Sequence, residues 1–306
     1  HCGQSANVCP VGCITGVAEW GSVKAAVNDP DKIVIFSTSP SVRVALGEEF
    51  GMEEGSFVED RMVALLRALG GDYVLDTNFA ADVTIMEEAN ELIRRLTSSN
   101  IPIPQLTSCC PAWSVMAKKL FPEFKDCISM ALTPMVITAR MVKKDHPDAR
   151  ICFIGPCAAK KLEANRKSVR SDVDYVLTFE ELQGMFDAKN IDFTTLEADP
   201  EDGLNEGTSM GRGFAVGGGV AAAVVEAIKH IDPTREVQIE YGDGLRECKK
   251  MLMMAKAGKR NGYLLEGMGC PGGCVAGAGT ITPVRESTLN VEKFKREGAG
   301  GSGTAS

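Results

Sequence analysis

Histidine, aromatic residues and long apolar runs are all scarce in this sequence. Its 306 residues include three histidines (His1, His146 and His230), two tryptophans and four tyrosines. Zinc enzymes commonly bind their metal through two or three histidines, so the sequence disfavours this class of enzyme. A membrane-spanning helix needs about 20 consecutive apolar residues, and the sequence contains no such run.

Basic residues are outnumbered by acidic ones. Lysine and arginine total 33 against 41 aspartates and glutamates, which gives a net charge of −8. An acidic protein repels phosphate backbones and anionic lipid headgroups, so we expect neither nucleic acid nor a membrane as a partner. Hydrophobic residues make up 44% of the chain and charged residues 24%, which is typical of a globular protein.

Cysteine, in contrast, is abundant. The eleven cysteines are odd in number and irregularly spaced, and no secretory signal precedes them. This pattern does not indicate a disulfide framework, so we expect a cytoplasmic protein whose thiolates bind metal. With so few histidines, all-thiolate ligation points to iron–sulfur chemistry. The chain begins at His1 rather than Met, so we expect its natural N-terminus to lie upstream.

Short apolar runs alternate with amphipathic helical segments along most of the chain. The clearest runs are residues 32–37, 73–75, 150–154, 175–177 and 263–265. The alternation predicts an α/β fold with two lobes of mostly parallel sheets flanked by helices, and with the active site between the lobes. In such folds, ligands bind at the carboxyl ends of the strands.

Three turns that contain both cysteine and proline follow predicted strands. They are Cys109-Cys110-Pro111, Gly155-Pro156-Cys157 and Cys270-Pro271-Gly272-Gly273-Cys274. We therefore expect Cys110, Cys157, Cys270 and Cys274 to converge, and four thiolates match one [4Fe–4S] cluster. The alternative is a set of unrelated buried cysteines. It is disfavoured because the same chemistry recurs at three strand ends.

The two ends of the chain differ from the middle. Cys2 and Cys9-Pro10 have the spacing of a ferredoxin motif, but Ser5 stands where that motif has cysteine. We therefore assign residues 1–19 to a remnant of a ferredoxin-like segment and residues 20–296 to the catalytic domain. Residues 297–306 are rich in glycine and serine, which indicates a flexible linker or a tag.

The three cysteine turns resemble the signature motifs of the [FeFe]-hydrogenases. The matching stretches are Thr107–Trp113 (TSCCPAW), Gly155–Glu163 (GPCAAKKLE) and Glu266–Cys274 (EGMGCPGGC). The likeness extends over about residues 30–285 and includes residues 76–82 and 86–89. Three departures resemble a less-studied subgroup: Gly155 replaces a usual methionine, Ala278 interrupts three glycines, and Ala112 stands where glycine is frequent.

The resemblance implies an H-cluster, in which a [4Fe–4S] cubane is joined to a two-iron unit that carries CO, CN⁻ and an azadithiolate. By motif position, Cys110, Cys157 and Cys270 would hold the cubane and Cys274 would bridge to the two-iron unit. The cofactor-binding residues would be Lys160, as a hydrogen-bond donor to cyanide, with Met268, Pro40 and Ser41.

The resemblance also implies a proton path. Cys109 would pass protons to and from the two-iron unit, and Glu88, Glu91 and Ser129 would connect it to solvent. Glu88 and Glu91 are three residues apart, so they share one face of a helix, on which Arg95 could pair with Glu91. The alternative is an ordinary solvated acidic face.

The implied activity is the reversible reduction of protons, 2H⁺ + 2e⁻ ⇌ H₂. Ferredoxin or a similar carrier would supply electrons, and dedicated maturation proteins would install the two-iron unit, which would be absent without them. The alternatives are a sensory hydrogenase, a hydrogenase-like iron–sulfur assembly factor and a plain [4Fe–4S] electron carrier. Assembly factors lack the doubled cysteine seen here at Cys109-Cys110.

Overall fold

The computed structural model describes most of the chain. The described residues are 2–44, 47, 51–52, 58–100, 103–167, 169, 171–199, 207–280 and 283–297. Of the predicted C-terminal linker, only Glu297 belongs to them. The domain boundaries at residues 19 and 296 stay predictions.

Within the described residues, seven strands form two sheets, and every pairing between these strands is parallel. The strands are β1 (Val34–Thr38), β2 (Tyr73–Asp76), β3 (Gln105–Leu106), β4 (Arg150–Ile154), β5 (Tyr175–Leu177), β6 (Gln238–Asp243) and β7 (Tyr263–Met268). The first sheet has the order β2-β1-β4-β5 and the second the order β3-β7-β6. Each apolar run of the sequence overlaps a strand. β1, β4 and β7 are buried on both faces of their sheets, whereas β2 lies at a sheet edge and its Tyr73 is exposed.

Helices cover both faces of each sheet. They are α1 (Gln4–Asn7), α2 (Trp20–Val27), α3 (Glu59–Leu69), α4 (Asn78–Thr97), α5 (Pro111–Leu120), α6 (Pro134–Asp145), α7 (Ala158–Ala164), α8 (Phe179–Lys189), α9 (Ser209–Arg212), α10 (Gly219–Ile231), α11 (Leu245–Lys256) and α12 (Val284–Arg296). Among the described residues, none of these helices is both long enough and apolar enough to cross a membrane.

Neighbouring strand residues contribute to opposite faces. In β1, Phe36 packs with Leu66 of α3, whereas Ile35 packs with Val136 of α6. In β7, Leu264 joins the cluster beneath α4 and α10, and Leu265 joins the cluster beneath α5 and α11. This alternation is the period of two that a strand imposes on its side chains. The predicted fold class, α/β with parallel sheets flanked by helices, is confirmed.

Candidate functional site

A cavity of about 70 Å³ lies at the carboxyl ends of strands from both sheets. Its lining residues follow β1, β3, β4 and β7 or lie on the helices next to them. They include Ser39, Pro40, Thr77, Cys109, Met135, Phe153, Cys157, Lys160, Phe214, Met268 and Cys274. Parallel strands bring their carboxyl ends to one edge of a sheet, which is why loops distant in sequence meet here.

The thiols of Cys110, Cys157, Cys270 and Cys274, which we call the cysteine cluster, are close enough to affect one another. Burial raises the pKa of Cys157 to about 12, and the charges of Cys110 and Cys270 contribute to the rise. The pKa of Cys274 is raised by burial and by its three partners. All four thiols are partly buried. Four thiolates at these positions would therefore need compensating positive charge, which the irons of an iron–sulfur cluster would supply.

The cysteine cluster is not a site for one metal ion. Within the part of the chain that the structure describes, no group of three or more His, Cys, Asp or Glu side chains could hold a single metal ion. In a cubane, by contrast, each iron takes its own cysteine ligand, and four cysteines are the donor set of one [4Fe–4S] cluster.

Helix starts and glycine turns position the cysteines. Cys110 precedes the first turn of α5 and accepts a hydrogen bond from the amide of Gly269 at 3.3 Å, and Cys157 precedes α7 in the same way. Amide groups at a helix N-terminus stabilise a thiolate. Gly273 has a φ of 93°, and a Cβ there would lie 2.7 Å from the amide nitrogen of Gly217. Glycine is therefore required for the turn that leads to Cys274.

Lys160 is the cation of the cavity lining. Its ammonium donates to Glu163 Oε2 at 2.6 Å and to the carbonyl of Cys109 at 3.3 Å. Burial is the largest single influence on the pKa of Lys160 and lowers it, but the charge and hydrogen bond of Glu163 and the charges of Cys157 and Cys109 together outweigh burial, and the net shift is upward. Lys160 is therefore a fixed positive charge beside the cysteine cluster, and it offers a donor to an anionic acceptor in the cavity.

Cys109 is a fifth cysteine at the site, next to Cys110 of the cysteine cluster. Burial raises its pKa well above the ordinary value, and the carboxylates of Glu266 and Glu88 raise it further. It lies in the cavity lining. A neutral thiol in this position can hold a proton beside a cofactor.

Glu88 is a buried carboxyl group on α4, with no exposed surface. It accepts hydrogen bonds from the amide and hydroxyl of Ser108, at 2.9 and 3.1 Å, and from the amide of Gln105 at 3.3 Å. Burial raises the pKa of Glu88 to about 7 despite these bonds. Glu88 can therefore exchange a proton near neutral pH.

Glu91 lies one turn further along α4 and is also buried. Its Oε1 accepts from Arg95, at 2.5 Å from Nη2 and 3.0 Å from Nε, as predicted. Its Oε2 accepts from the hydroxyl of Ser129 and the amide of Met130, each at 2.9 Å. The solvated acidic face that we considered as the alternative is wrong, because Glu88 and Glu91 are both buried.

The structure thus brings the predicted residues together in two layers. Cys109, Cys157, Cys274, Lys160, Met268 and Pro40 line the cavity. Glu88, Glu91 and Ser129 lie behind Cys109 and outside this lining. Ser41 is buried beside the cavity, where its hydroxyl bonds to that of Ser39 at 3.0 Å.

Sequence reasoning missed two residues of the site. Ser39 lines the cavity, and a Cβ on Gly155 would lie 3.0 Å from its hydroxyl oxygen, so the unusual glycine leaves room for this serine. Glu266 accepts hydrogen bonds from the amides of Gly218 and Ala221, and burial raises its pKa to about 8. The sequence feature that could have identified Glu266 is its position as a charged residue within the otherwise apolar strand β7.

Comparisons with known proteins identify the family of the chain. Residues 32–278 match the model of the iron only hydrogenase large subunit, C-terminal domain. The NADP-reducing hydrogenase subunit HndD of Solidesulfovibrio fructosivorans is 34% identical over 91% of this chain and 55% of that subunit. The chain therefore spans about half the length of this relative.

The chain is also similar to an iron–sulfur assembly protein and to a solved hydrogenase structure. Cytosolic iron-sulfur assembly component 3 of Bos taurus is 26% identical over 90% of this chain and 68% of its own length. The structure of a variant of an [FeFe]-hydrogenase from Chlamydomonas reinhardtii matches with a TM-score of 0.75 and 24% identity, over 90% of this chain and 88% of that one. The latter match shows the fold alone. By its match over residues 32–278, the chain belongs to the family of the iron-only hydrogenase large subunit, within the C-terminal domain.

Proposed function

We propose that this chain is the catalytic domain of an [FeFe]-hydrogenase, which interconverts protons, electrons and H₂. The observation that carries the proposal is the position of Cys109, a fifth thiol that lines the cavity together with Cys157, Cys274 and Lys160 and is close enough to the buried carboxyl group of Glu88 to be affected by its charge. A site with cluster ligands alone would need no such thiol. Cys109 would connect the metal cluster, which exchanges electrons, with the carboxyl group of Glu88, which exchanges protons.

The cysteine cluster fits the H-cluster. Cys110, Cys157 and Cys270 would hold the cubane, and Cys274 would bridge to a two-iron unit that carries CO, CN⁻ and azadithiolate. When bound, this group supplies the redox chemistry and the metal site at which H₂ is made or split. Maturation proteins would install the two-iron unit.

The cavity residues would bind and orient that unit. Lys160 would donate a charge-assisted hydrogen bond to cyanide, and its bond to Glu163 limits the directions in which its ammonium can point. Met268 and Pro40 offer apolar contacts in the lining, and Ser41 acts through the hydroxyl of Ser39. The apolar lining would exclude bulk water from the reacting atoms.

The carboxyl groups would supply protons from outside. Ser129 bonds to Glu91, and Met130 beside it is 83% exposed, so the outer end of the path lies close to solvent. Glu88 stands between this end and Cys109. Its pKa of about 7 suits a group that must both accept and release protons near neutral pH.

Electron donors and the compartment are also proposals. We expect ferredoxin or a similar small carrier to deliver electrons to the cubane side of the site. All eleven cysteines are free thiols, which is compatible with the cytoplasm that we predict.

The second candidate is an iron–sulfur assembly factor, which the similarity to the assembly component of Bos taurus favours. Cys109 and Lys160 favour the hydrogenase instead, because storing or transferring a four-iron cluster requires neither a protonated thiol nor a fixed cation in an adjoining cavity.

The decisive experiment loads the chain anaerobically with a [4Fe–4S] cluster and a synthetic diiron complex, or produces it together with hydrogenase maturation proteins. We expect infrared bands of bound CO and CN⁻, and H₂ evolution from a reduced viologen. The Cys274→Ala variant is the matched control and should retain neither signal. Loaded protein that shows the infrared bands without H₂ turnover in either direction would contradict the proposal and favour a non-catalytic role.

A further inference from the structure

The N-terminal segment contacts the candidate site, although it lies outside the three cysteine motifs. Gly3 has a φ of 86°, and a Cβ there would lie 2.6 Å from Cβ of Ala278 and 2.9 Å from Cβ of Ala158. Ala158 is the first residue of α7, and Ala278 follows the turn that carries Cys274. Only a glycine lets the segment pack this closely against both elements.

This packing places the side chain of Gln4 against the cysteine cluster. Its amide nitrogen donates to Sγ of Cys270 at 3.2 Å and to the carbonyl oxygen of Ala276 at 2.9 Å. A carbonyl oxygen can only accept, so it determines that the nitrogen of the Gln4 amide, and not its oxygen, faces the sulfur. The same contact lowers the pKa of Cys270 against the effect of burial, which raises it overall to about 11.

From this geometry we infer that Gln4 is a positioning residue that raises the reduction potential of the four-iron cluster on Cys270. The inference rests on the proposed function, because it assumes that the cysteine cluster holds iron. A hydrogen bond to a ligand sulfur stabilises negative charge there, and reduction adds one negative charge to the cluster. The reduced cluster therefore gains more from the bond than the oxidised one.

Gln4 differs from the backbone donors near this site. Cys110 accepts a hydrogen bond from the backbone amide of Gly269, and Cys270 also accepts one from the backbone of Ala278; substitution leaves both in place. Gln4 donates to Cys270 from its side chain, so this donor can be removed without changing a cluster ligand. It also reaches the sulfur from a segment 266 residues away in sequence.

The test uses the full chain loaded with the [4Fe–4S] cluster alone, without the two-iron unit. A redox titration followed by electron paramagnetic resonance of the reduced cluster gives its midpoint potential. We expect Gln4→Ala and Gln4→Met to shift the midpoint to a more negative value, because both lack the donor. Gln4→Glu should shift it further, because it adds a negative charge.

The matched control is Gln183→Ala, which removes a half-buried amide that bonds to Asp187 on α8, and it should leave the midpoint unchanged. Gln4→Met has nearly the volume of glutamine, so it decides the matter if Gln4→Ala loses its cluster. Equal midpoints in wild type and Gln4→Met, at equal iron content, would overturn the inference and leave the proposed function intact. A wild-type chain that binds no four-iron cluster would overturn both.

Discussion

The two sides of the cavity are built in different ways. The cysteine cluster comes from loops after three strands, and its geometry depends on backbone turns such as the one at Gly273. The carboxyl groups that we assign to proton transfer come from one helix, α4, and their chemistry depends on what packs against that helix. One side is specified by local turns and the other by tertiary neighbours.

Glu88 and Glu91 show what tertiary neighbours can do. Both are buried on one helix face, but Arg95 neutralises Glu91, whereas the donors to Glu88 that we observe, Ser108 and Gln105, are neutral. An ion pair favours the charged carboxylate, and burial among neutral groups favours the protonated acid. Two identical side chains one turn apart therefore have different surroundings, and we assign proton exchange near neutral pH to Glu88.

The largest effect is expected on the cysteine side. Cys157→Ala removes one thiolate from the cysteine cluster, and we expect iron content and H₂ turnover to fall to background. Iron analysis and a viologen-linked assay measure both quantities. The matched control is Cys13→Ala, which removes an exposed thiol on the N-terminal segment. Retention of four irons by Cys157→Ala would show that this residue is not a ligand.

Cys109→Ala should distinguish the binding of the cofactor from the transfer of protons. We expect the variant to keep its irons and its infrared bands but to lose turnover by about 10²- to 10⁴-fold, the range for a positioned proton-transfer group. The loss arises because an alanine cannot hold a proton beside the cofactor. Full turnover in this variant would remove Cys109 from the proton path, and loss of iron would make it part of the cluster site instead.

Glu88→Gln tests the helix side, with an expected fall in turnover of about 10²-fold. The carbonyl oxygen of a glutamine can still accept from Ser108, and its amide can donate to Gln105, whose Oε1 is a buried acceptor without a hydrogen bond. The fold should therefore tolerate the change. The matched control is Glu87→Gln, an exposed neighbour on the same helix. Equal turnover in the two variants would contradict a proton path through Glu88.

The same contrast explains what could be predicted from sequence. A turn is indicated by cysteine, proline and glycine residues that are neighbours in the sequence. The cysteine cluster and the strand ends that carry it were therefore predictable. The contact of Gln4 with Cys270 and the space that Gly155 leaves for Ser39 were not. These contacts join residues far apart in sequence, and no local sequence pattern indicates which side chain will lie against which.

The sequence alone also did not decide whether Glu88 and Glu91 are buried. Glutamates three residues apart on a helix are compatible with a solvated face or a buried one. What decides between them is that α4 packs against the segment containing Gln105 and Ser108 on one side and against Ser129 on the other.

The smallest predicted effect concerns stability rather than turnover. Burial raises the pKa of Glu88 from 4.5 to about 7, so between these two pH values the folded chain keeps a proton that the unfolded chain has released. The free energy of unfolding must therefore fall as pH rises through this window, and level off above it. The difference between the two pKa values corresponds to a change of at most about 3 kcal/mol in the free energy of unfolding.

Glu88→Gln has no such proton to lose, so its stability relative to wild type should increase from pH 5 to pH 8. Urea unfolding of both proteins, prepared without cluster, measures the difference at each pH, and Glu87→Gln again serves as the control. Burial also raises the pKa of Glu266 to about 8, so the variant keeps part of the pH dependence of wild type. A difference between Glu88→Gln and wild type that stays constant with pH would mean that Glu88 is already ionised in the folded protein. The proton that we assign to Glu88 near neutral pH would then be absent from the folded chain.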